Sequence, residues 1–314
     1  MKKFSLTCNT NMNTMCIMEE REVRLSTIEK PLNAVSAILG EASFTRPNVL
    51  IYCGDCLEFM KKLPDNFVSL TVTSPPYNIG KEYERERGLQ EYLDWCESWI
   101  KEIYRITTPH GAFWLNLGYL EVPRKAKALP IPYLLWNRIP FYILQEIVWN
   151  YGAGVAMKRS FSPRNEKFLW CAKDPCNYIF NLDAVRDKNV KYPYQKKCGK
   201  LKCNPKGKNP TDVWQFPKVT SGTGRASRER TDHPAQFPIA VVEQIIKACS
   251  NEGELVMDPF MGSGSTAEAC LKNSRPVLGF ENKPDYVELA GARVDRYLKK
   301  KARESDQEKL FRWI

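Results

Sequence analysis

The segment from Leu255 to Leu271 constrains the fold of this chain more than any other. Leu255-Val256-Met257 is an apolar run of strand length, and Ala267-Glu268-Ala269-Cys270-Leu271 has the composition of a helix. Between them lies Asp258-Pro259-Phe260-Met261-Gly262-Ser263-Gly264-Ser265-Thr266. A strand, a glycine-rich turn and a helix in that order form the nucleotide cradle of open α/β sheets, because a helix N-terminus favours a carboxylate or phosphate. Gly262 and Gly264 are expected to bring backbone N–H groups close to a ligand. A second apolar run, Val277-Leu278-Gly279-Phe280, ends in Glu281. An acid at the end of the next strand is the usual acceptor for ribose hydroxyls in such folds; the alternative for Glu281 is a solvated residue after a strand.

A second strand end carries the chemistry. The β-branched run Val68 to Thr73 reads as a buried strand and closes on Thr73-Ser74-Pro75-Pro76-Tyr77-Asn78. Pro75 and Pro76 fix the backbone and lack N–H groups, so the local carbonyls serve as acceptors. The Ser74 hydroxyl adds another acceptor, and Tyr77 adds a ring that can stack on a planar group. Acceptors gathered beside an aromatic face suit an exocyclic NH2 on a nucleobase. The plain alternative is a Pro-Pro turn after a strand.

Taken together, TSPPYN followed much later by DPFMGSGST resembles the amino-group DNA methyltransferases of the beta arrangement, in which the catalytic motif precedes the S-adenosylmethionine motif. The resemblance runs from about Asn48 to about Tyr297. It implies an α/β fold: a seven-stranded Rossmann-like methyltransferase sheet in circularly permuted motif order, with a loop-rich target-recognition insert. Ser74 in place of Asp resembles the members that methylate cytosine N4, whereas Asp-Pro-Pro-Tyr members mostly methylate adenine N6. Enzymes that modify protein glutamine with Asn-Pro-Pro-Tyr usually carry the cofactor motif first, so the order here argues against them. Cytosine-C5 chemistry needs a Cys nucleophile in a Pro-Cys setting, and the one such pair, Pro175-Cys176, does not follow the catalytic strand.

The resemblance also implies roles. Ser74, Pro75, Pro76 and Tyr77 are the catalytic residues, acting on a base flipped out of the duplex, with Tyr77 stacked on it and Ser74 and the Pro75 carbonyl accepting from the amine. S-adenosylmethionine is the cofactor. Its contacts are Asp55, Cys56, Thr73, Asp258, Pro259, Phe260, Gly262, Ser263, Gly264, Thr266 and Glu281. Asp55 is expected to accept from the cofactor's adenine amine, and Phe260 and Tyr77 to face the sulfonium. His233, Pro234 and Gln236 match a segment that closes over the cofactor; His233 as a helix-entry residue without a ligand is the alternative. No metal is required.

Charge locates the partner. The 314-residue chain carries a net charge of +11. Between Lys188 and Arg230 stand nine Lys and three Arg against Asp212 and Glu229, nearly the whole excess. Tyr192, Tyr194, Trp214 and Phe216 interleave with them. Basic residues mixed with aromatics on a loop-rich segment suit a nucleic-acid backbone and unstacked bases. Lys196, Lys197, Lys200, Lys202, Arg225 and Arg228 are the candidate DNA contacts. Double-stranded DNA is the expected partner, with RNA not separable from it on composition. A restriction endonuclease of the same specificity is an expected counterpart; adenine-N6 methylation by the same fold is the nearest rival reading, and a catalytically inactive DNA-binding relative is a second that the intact motifs argue against.

The expected organisation is an N-terminal extension over 1–47, a catalytic half over 48–180, a recognition insert over 181–230, and a cofactor half with a C-terminal tail over 231–314. Residues Ile28, Leu32, Val35 and Leu39 predict a short amphipathic helix, and Tyr119 to Asn137 is expected to hold a basic helix. Pro109-His110-Gly111 reads as a turn. No apolar stretch is long enough to span a membrane, and polar residues near the start break any signal core, so a cytoplasmic protein of a bacterium or archaeon, monomer or homodimer, is expected. The eleven cysteines are most simply free thiols. A zinc site from Cys171, Cys176, Cys198 and Cys203 is conceivable, but the spacing is loose and the pairs are far apart.

Overall fold

The computed structural model describes residues 30–81, 84–152, 154, 156–219, 227 and 229–311. Arg225, Arg228 and most of the N-terminal extension lie outside the described residues. Residues 30–39 form helix α1, with Leu32 and Val35 buried. There follow β1 (Phe44–Arg46), β2 (Val49–Cys53), α2 (Cys56–Met60), β3 (Val68–Thr73), α3 (Leu89–Ile106) and β4 (Thr107–Leu117). A hairpin of β5 (Tyr119–Val122) and β6 (Ala126–Pro130) leads through α4 (Pro132–Leu135) to β7 (Tyr142–Asn150) and β8 (Asn165–Ala172). The basic segment contributes α5 (Leu182–Val185), β9 (Lys196–Lys197), β10 (Lys200–Leu201) and β11 (Val213–Gln215). The last elements are α6 (Ile239–Cys249), β12 (Val256–Asp258), α7 (Ser265–Lys272), β13 (Val277–Glu281) and α8 (Pro284–Phe311).

One sheet organises all of this, in the order β1-β2-β13-β12-β3-β4-β8-β7-β11. The strands from β2 to β4 run parallel, and β8 returns antiparallel between β4 and β7. All six residues of β3 are buried, as expected of a central parallel strand covered on both faces. One apolar layer joins α3 to the sheet through Tyr92, Trp99, Ile100 and Ile103. The other joins α6, α7 and α8 through Val242, Ile246, Ala267, Ala290 and Val294. The molecule is therefore a three-layer α/β/α stack.

Three sequence expectations change. Seven strands were expected in the main sheet and nine are present, because the three-residue strands β1 and β11 extend its two edges. Strands that short leave no periodicity to read. Residues 119–137 form no basic helix; instead β5 and β6 pair around a tight turn in which Lys125 N donates to the Val122 carbonyl at 3.0 Å. Pro123 presets the first turn residue, and Arg124 adopts φ 62° at the second, where a type II turn needs a positive value. Pro109-His110-Gly111 lies inside β4, where the pairing with β3 shifts register. An added Cβ on Gly111 would lie 2.7 Å from the Ser69 carbonyl oxygen, so the strand passes there only without a side chain.

The basic segment is also less separate than its composition suggests. β11 pairs parallel with β7, and Trp214 stacks on Trp114 at 5.5 Å between centroids. Among the described residues no group of three or more His, Cys, Asp or Glu is placed to hold a metal ion, and no helix is long and apolar enough to cross a membrane. Cys171 is buried within β8, while Cys198 sits exposed at the β9–β10 turn.

Candidate active site

β12 and β3 are adjacent parallel strands, yet the chain leaves them toward opposite faces of the sheet, through α7 and α3 respectively. Diverging connections open a crevice at the carboxyl ends of such strands. The two motifs, 181 or more residues apart in the chain, line that one cleft. Ser74, Pro75, Pro76 and Tyr77 form one wall, and Asp258, Pro259, Phe260, Gly262 and Ser263 form the other. Gly54, Asp55 and Cys56 extend it past the end of β2, and Glu281 past the end of β13.

Asp258 is the clasp between the walls. Its Oδ1 accepts from Thr73 Oγ1 at 2.7 Å and from Phe260 N at 3.1 Å, and its Oδ2 accepts from Thr266 Oγ1 at 2.6 Å. Burial pushes its pKa up to about 7, against the pull of these hydrogen bonds. The expected cofactor contacts Thr73 and Thr266 thus spend their hydroxyl protons on Asp258, and Thr73 does not reach the cleft surface.

The glycine turn also differs from expectation. Gly262 N donates to Glu281 Oε2 at 2.8 Å, and Gly264 N donates to the Met261 carbonyl at 3.0 Å, so neither N–H is left pointing at a ligand. Gly262 has φ 49°, and a Cβ there would stand 2.9 Å from His233 Nε2. Gly264 turns away from the cleft toward Ala290 of α8. Glu281 Oε1 accepts from Lys283 N at 3.0 Å, and burial raises the pKa of this carboxyl. Each oxygen keeps a second lone pair for a hydroxyl.

Asp55 caps α2, its Oδ1 accepting from Leu57 N at 2.7 Å, so part of its acceptor capacity is already used. Cys56 is buried beside it, and burial with the Asp55 charge drives its thiol far above the usual range. Phe260 lies edge-on between Trp95 and Trp99, at 5.7 and 5.3 Å. His233 lines the cleft, but Pro234 and Gln236 do not. Gln236 instead ties the loop by donating to the Glu229 carbonyl at 2.7 Å while accepting from Thr231. Their neighbours Ala235 and Phe237 line the cleft in their place.

Tyr77 is held from three sides. Its hydroxyl lies 2.9 Å from Ser74 Oγ, 2.7 Å from Asn116 Oδ1 and 3.2 Å from Glu166 Oε2. Its ring rests on Gly118, where an added Cβ would approach ring carbons to 2.8 Å. Sequence reading missed Asn116 and Glu166. Asn116 had a visible signal, a lone amide in the apolar run of β4, and it is fully buried. Arg87, stacked over Trp95 at 4.6 Å, and Tyr286, edge-on to His233 at 4.6 Å, also line the cleft.

The described candidate DNA contacts lie apart from the cleft lining. Lys196, Lys197, Lys200 and Lys202 are all exposed on or beside the β9–β10 hairpin. Cys198 and Gly199 at its tip both have positive φ, as a two-residue hairpin turn requires.

Comparison with known proteins supplies relatives of this arrangement. The model of a family described as DNA methylase matches residues 68–292. The type II methyltransferase M.ScaI of Streptomyces caespitosus is 58% identical over 268 residues, covering 85% of this chain and 88% of the relative. The DNA adenine methyltransferase YhdJ of Escherichia coli is 32% identical over 254 residues, covering 77% and 81%. Among solved structures, the PvuII DNA methyltransferase, cytosine-N4-specific, superposes with a TM-score of 0.61 at 21% identity, over 77% of this chain and 84% of that one; at that identity the likeness is one of fold.

Proposed function

The chain belongs to the DNA methylase family of N4 and N6 enzymes, and from that premise we propose the group it modifies: the exocyclic N4 amine of a cytosine flipped out of duplex DNA. Its donor is S-adenosylmethionine, and its likeness to a type II methyltransferase supports a role in restriction–modification. A restriction endonuclease reading the same site is its proposed counterpart.

The single observation that carries the reading is the union of TSPPY and the glycine turn in one cleft, with a serine hydroxyl rather than a carboxylate at the reacting end. The cleft suits the donor. The Glu281 carboxylate fits a ribose diol, and the faces of Phe260 and Tyr77 fit a sulfonium, at about 1 kcal/mol by cation–π attraction. When bound, the cofactor supplies an electrophilic methyl group. The protein's own part is alignment. Ser74 and the Pro75 carbonyl accept from the amine and draw its lone pair out of ring conjugation, while Tyr77 fixes the ring plane. No covalent enzyme intermediate is required. Residues 181–230 are the proposed recognition insert, set between the catalytic half (48–180) and the cofactor half (231–314), and the hairpin lysines are its proposed phosphate contacts.

Digestion of DNA modified by the protein to nucleosides tests the assignment. N4-methylcytosine is expected, and its loss in Ser74→Ala and Tyr77→Ala variants that still bind cofactor. N6-methyladenine as the sole product would overturn the cytosine assignment and leave the DNA methyltransferase standing.

A further inference from the structure

The proposed roles of Ser74 and Tyr77 leave one group unexplained. Glu166, at the start of β8, holds a carboxylate within reach of Tyr77, and its other oxygen is clamped by Lys218 at 2.7 Å. The pair is largely withdrawn from solvent, with side-chain exposures of 15% for Glu166 and 25% for Lys218. Lys218 follows β11 and sits 3.8 Å over the ring of Tyr151, so the basic insert anchors this pair. Burial opposes the Lys218 charge, yet its pKa is raised, with Glu166 the leading favourable influence.

The hydrogen-bond inventory decides what the carboxylate does. Asn116 donates through Nδ2 to the Lys167 carbonyl, which leaves Oδ1 facing Tyr77 as an acceptor. Glu166 paired with an ammonium is also acceptor-only. A phenol has one proton, and with acceptors at 2.7 and 3.2 Å it spends that proton on them. Toward Ser74, at 2.9 Å, the Tyr77 oxygen then acts as the acceptor. The single Ser74 proton goes to Tyr77, with Asn116 Oδ1 a longer second acceptor at 3.4 Å, and the Ser74 lone pairs are the part left for a ligand.

We propose that Glu166, held by Lys218, is a positioning residue that sets the hydrogen-bond polarity of the Tyr77–Ser74 pair, so that Ser74 meets the target amine as an acceptor. This rests on the reading of Ser74 and Tyr77 given above. Replacing Glu166 by Gln places an N–H donor within reach of Tyr77. That donor competes with Ser74 for the phenol oxygen, leaving the Ser74 proton only the long contact to Asn116 Oδ1 at 3.4 Å and free to turn toward the amine, where it repels the N–H instead of accepting it. Lys218→Met removes the clamp and lets the carboxylate turn away.

The test is a double-mutant cycle. Single-turnover methyl transfer to unmethylated genomic DNA from tritium-labelled S-adenosylmethionine is measured for the wild type, Glu166→Gln, Tyr77→Phe and the double variant. KM for DNA and the affinity for cofactor are measured beside it. Glu166→Gln is expected to slow transfer about tenfold or more while both affinities stay within about twofold. In the Tyr77→Phe background the same change should have almost no further effect, because the hydroxyl that transmits it is gone. Lys218→Met should slow transfer in the same direction and show the same dependence on Tyr77, which keeps the test open should Glu166→Gln fail to fold. Penalties that multiply in the double variants, or a Glu166→Gln protein with the wild-type rate, would overturn the proposal. A wild-type protein that labels no DNA would instead remove the reading on which it rests.

Discussion

His233 carries its imidazole into the cleft wall with Nδ1 already accepting from Ala235 N at 3.2 Å. Burial, aided by the nearby charges of Arg293 and Lys283, lowers its pKa to about 4 from the usual 6.5. Between these two values the unfolded chain takes up a proton that the folded one refuses. The stability is therefore fully present above pH 6.5 and is lost as pH falls toward 4, by up to about 3 kcal/mol. Urea unfolding of the wild type and a His233→Gln variant from pH 7 to 4 should show the difference between them shrinking by that order; a difference independent of pH would contradict the burial argument. At this scale residue type was a better guide than residue role. Asp258, Thr73 and Thr266 were legible as important polar groups at strand and helix ends, but their partners are one another. A bond between Thr73 and Asp258 joins positions 185 apart, and no local pattern encodes it. Glu166 escaped notice for the same reason, and although the lone amide of Asn116 stands out in its apolar run, both owe their place beside Tyr77 to strands that meet only in the folded sheet.

The β9–β10 hairpin is the element on which the charge argument stands or falls. Its lysines are exposed at the ends of two-residue strands, and the exposed rings of Tyr192 and Tyr194 precede it. If these side chains face phosphates, replacing Lys196, Lys197, Lys200 and Lys202 by Ala should weaken DNA binding and flatten the plot of log affinity against log salt by about 0.9 for each phosphate contact removed. An unchanged slope in a titration across salt concentrations would move the DNA surface elsewhere. Long periodic elements could be read from sequence: Leu89, Leu93, Cys96, Ile100, Ile103 and Tyr104 recur at helical spacing, and of these Leu93, Cys96, Ile100 and Ile103 lie on the buried face of α3. The β5–β6 hairpin could not, because its lysines and arginine resemble a helix surface until Pro123 and Arg124 are seen to turn the chain. β11 was hidden inside the basic segment, since three residues acquire strand character only by pairing with β7.

Across the whole molecule, the cleft lies where the parallel strands β12 and β3 send their connections to opposite faces. A cofactor held there bridges both halves of the sheet and binds only the folded state. At a concentration 100-fold above its Kd, S-adenosylmethionine should add about 2.7 kcal/mol to stability and raise the unfolding midpoint by several degrees. Thermal unfolding with and without it provides the check, and an unmoved Tm would mean that the cleft does not hold it. The sequence by itself determined the α/β class, the family resemblance and the two motif loops, because strand-length apolar runs, a glycine turn and a Pro-Pro turn are local signals. Only the tertiary structure decided that the loops share a wall-to-wall cleft. It also decided that the glycine N–H groups are already paired, and that a carboxylate and a lysine stand behind the tyrosine. Those facts depend on which strands become neighbours, and strand adjacency is settled by burying both faces of one sheet rather than by any run of residues along the chain.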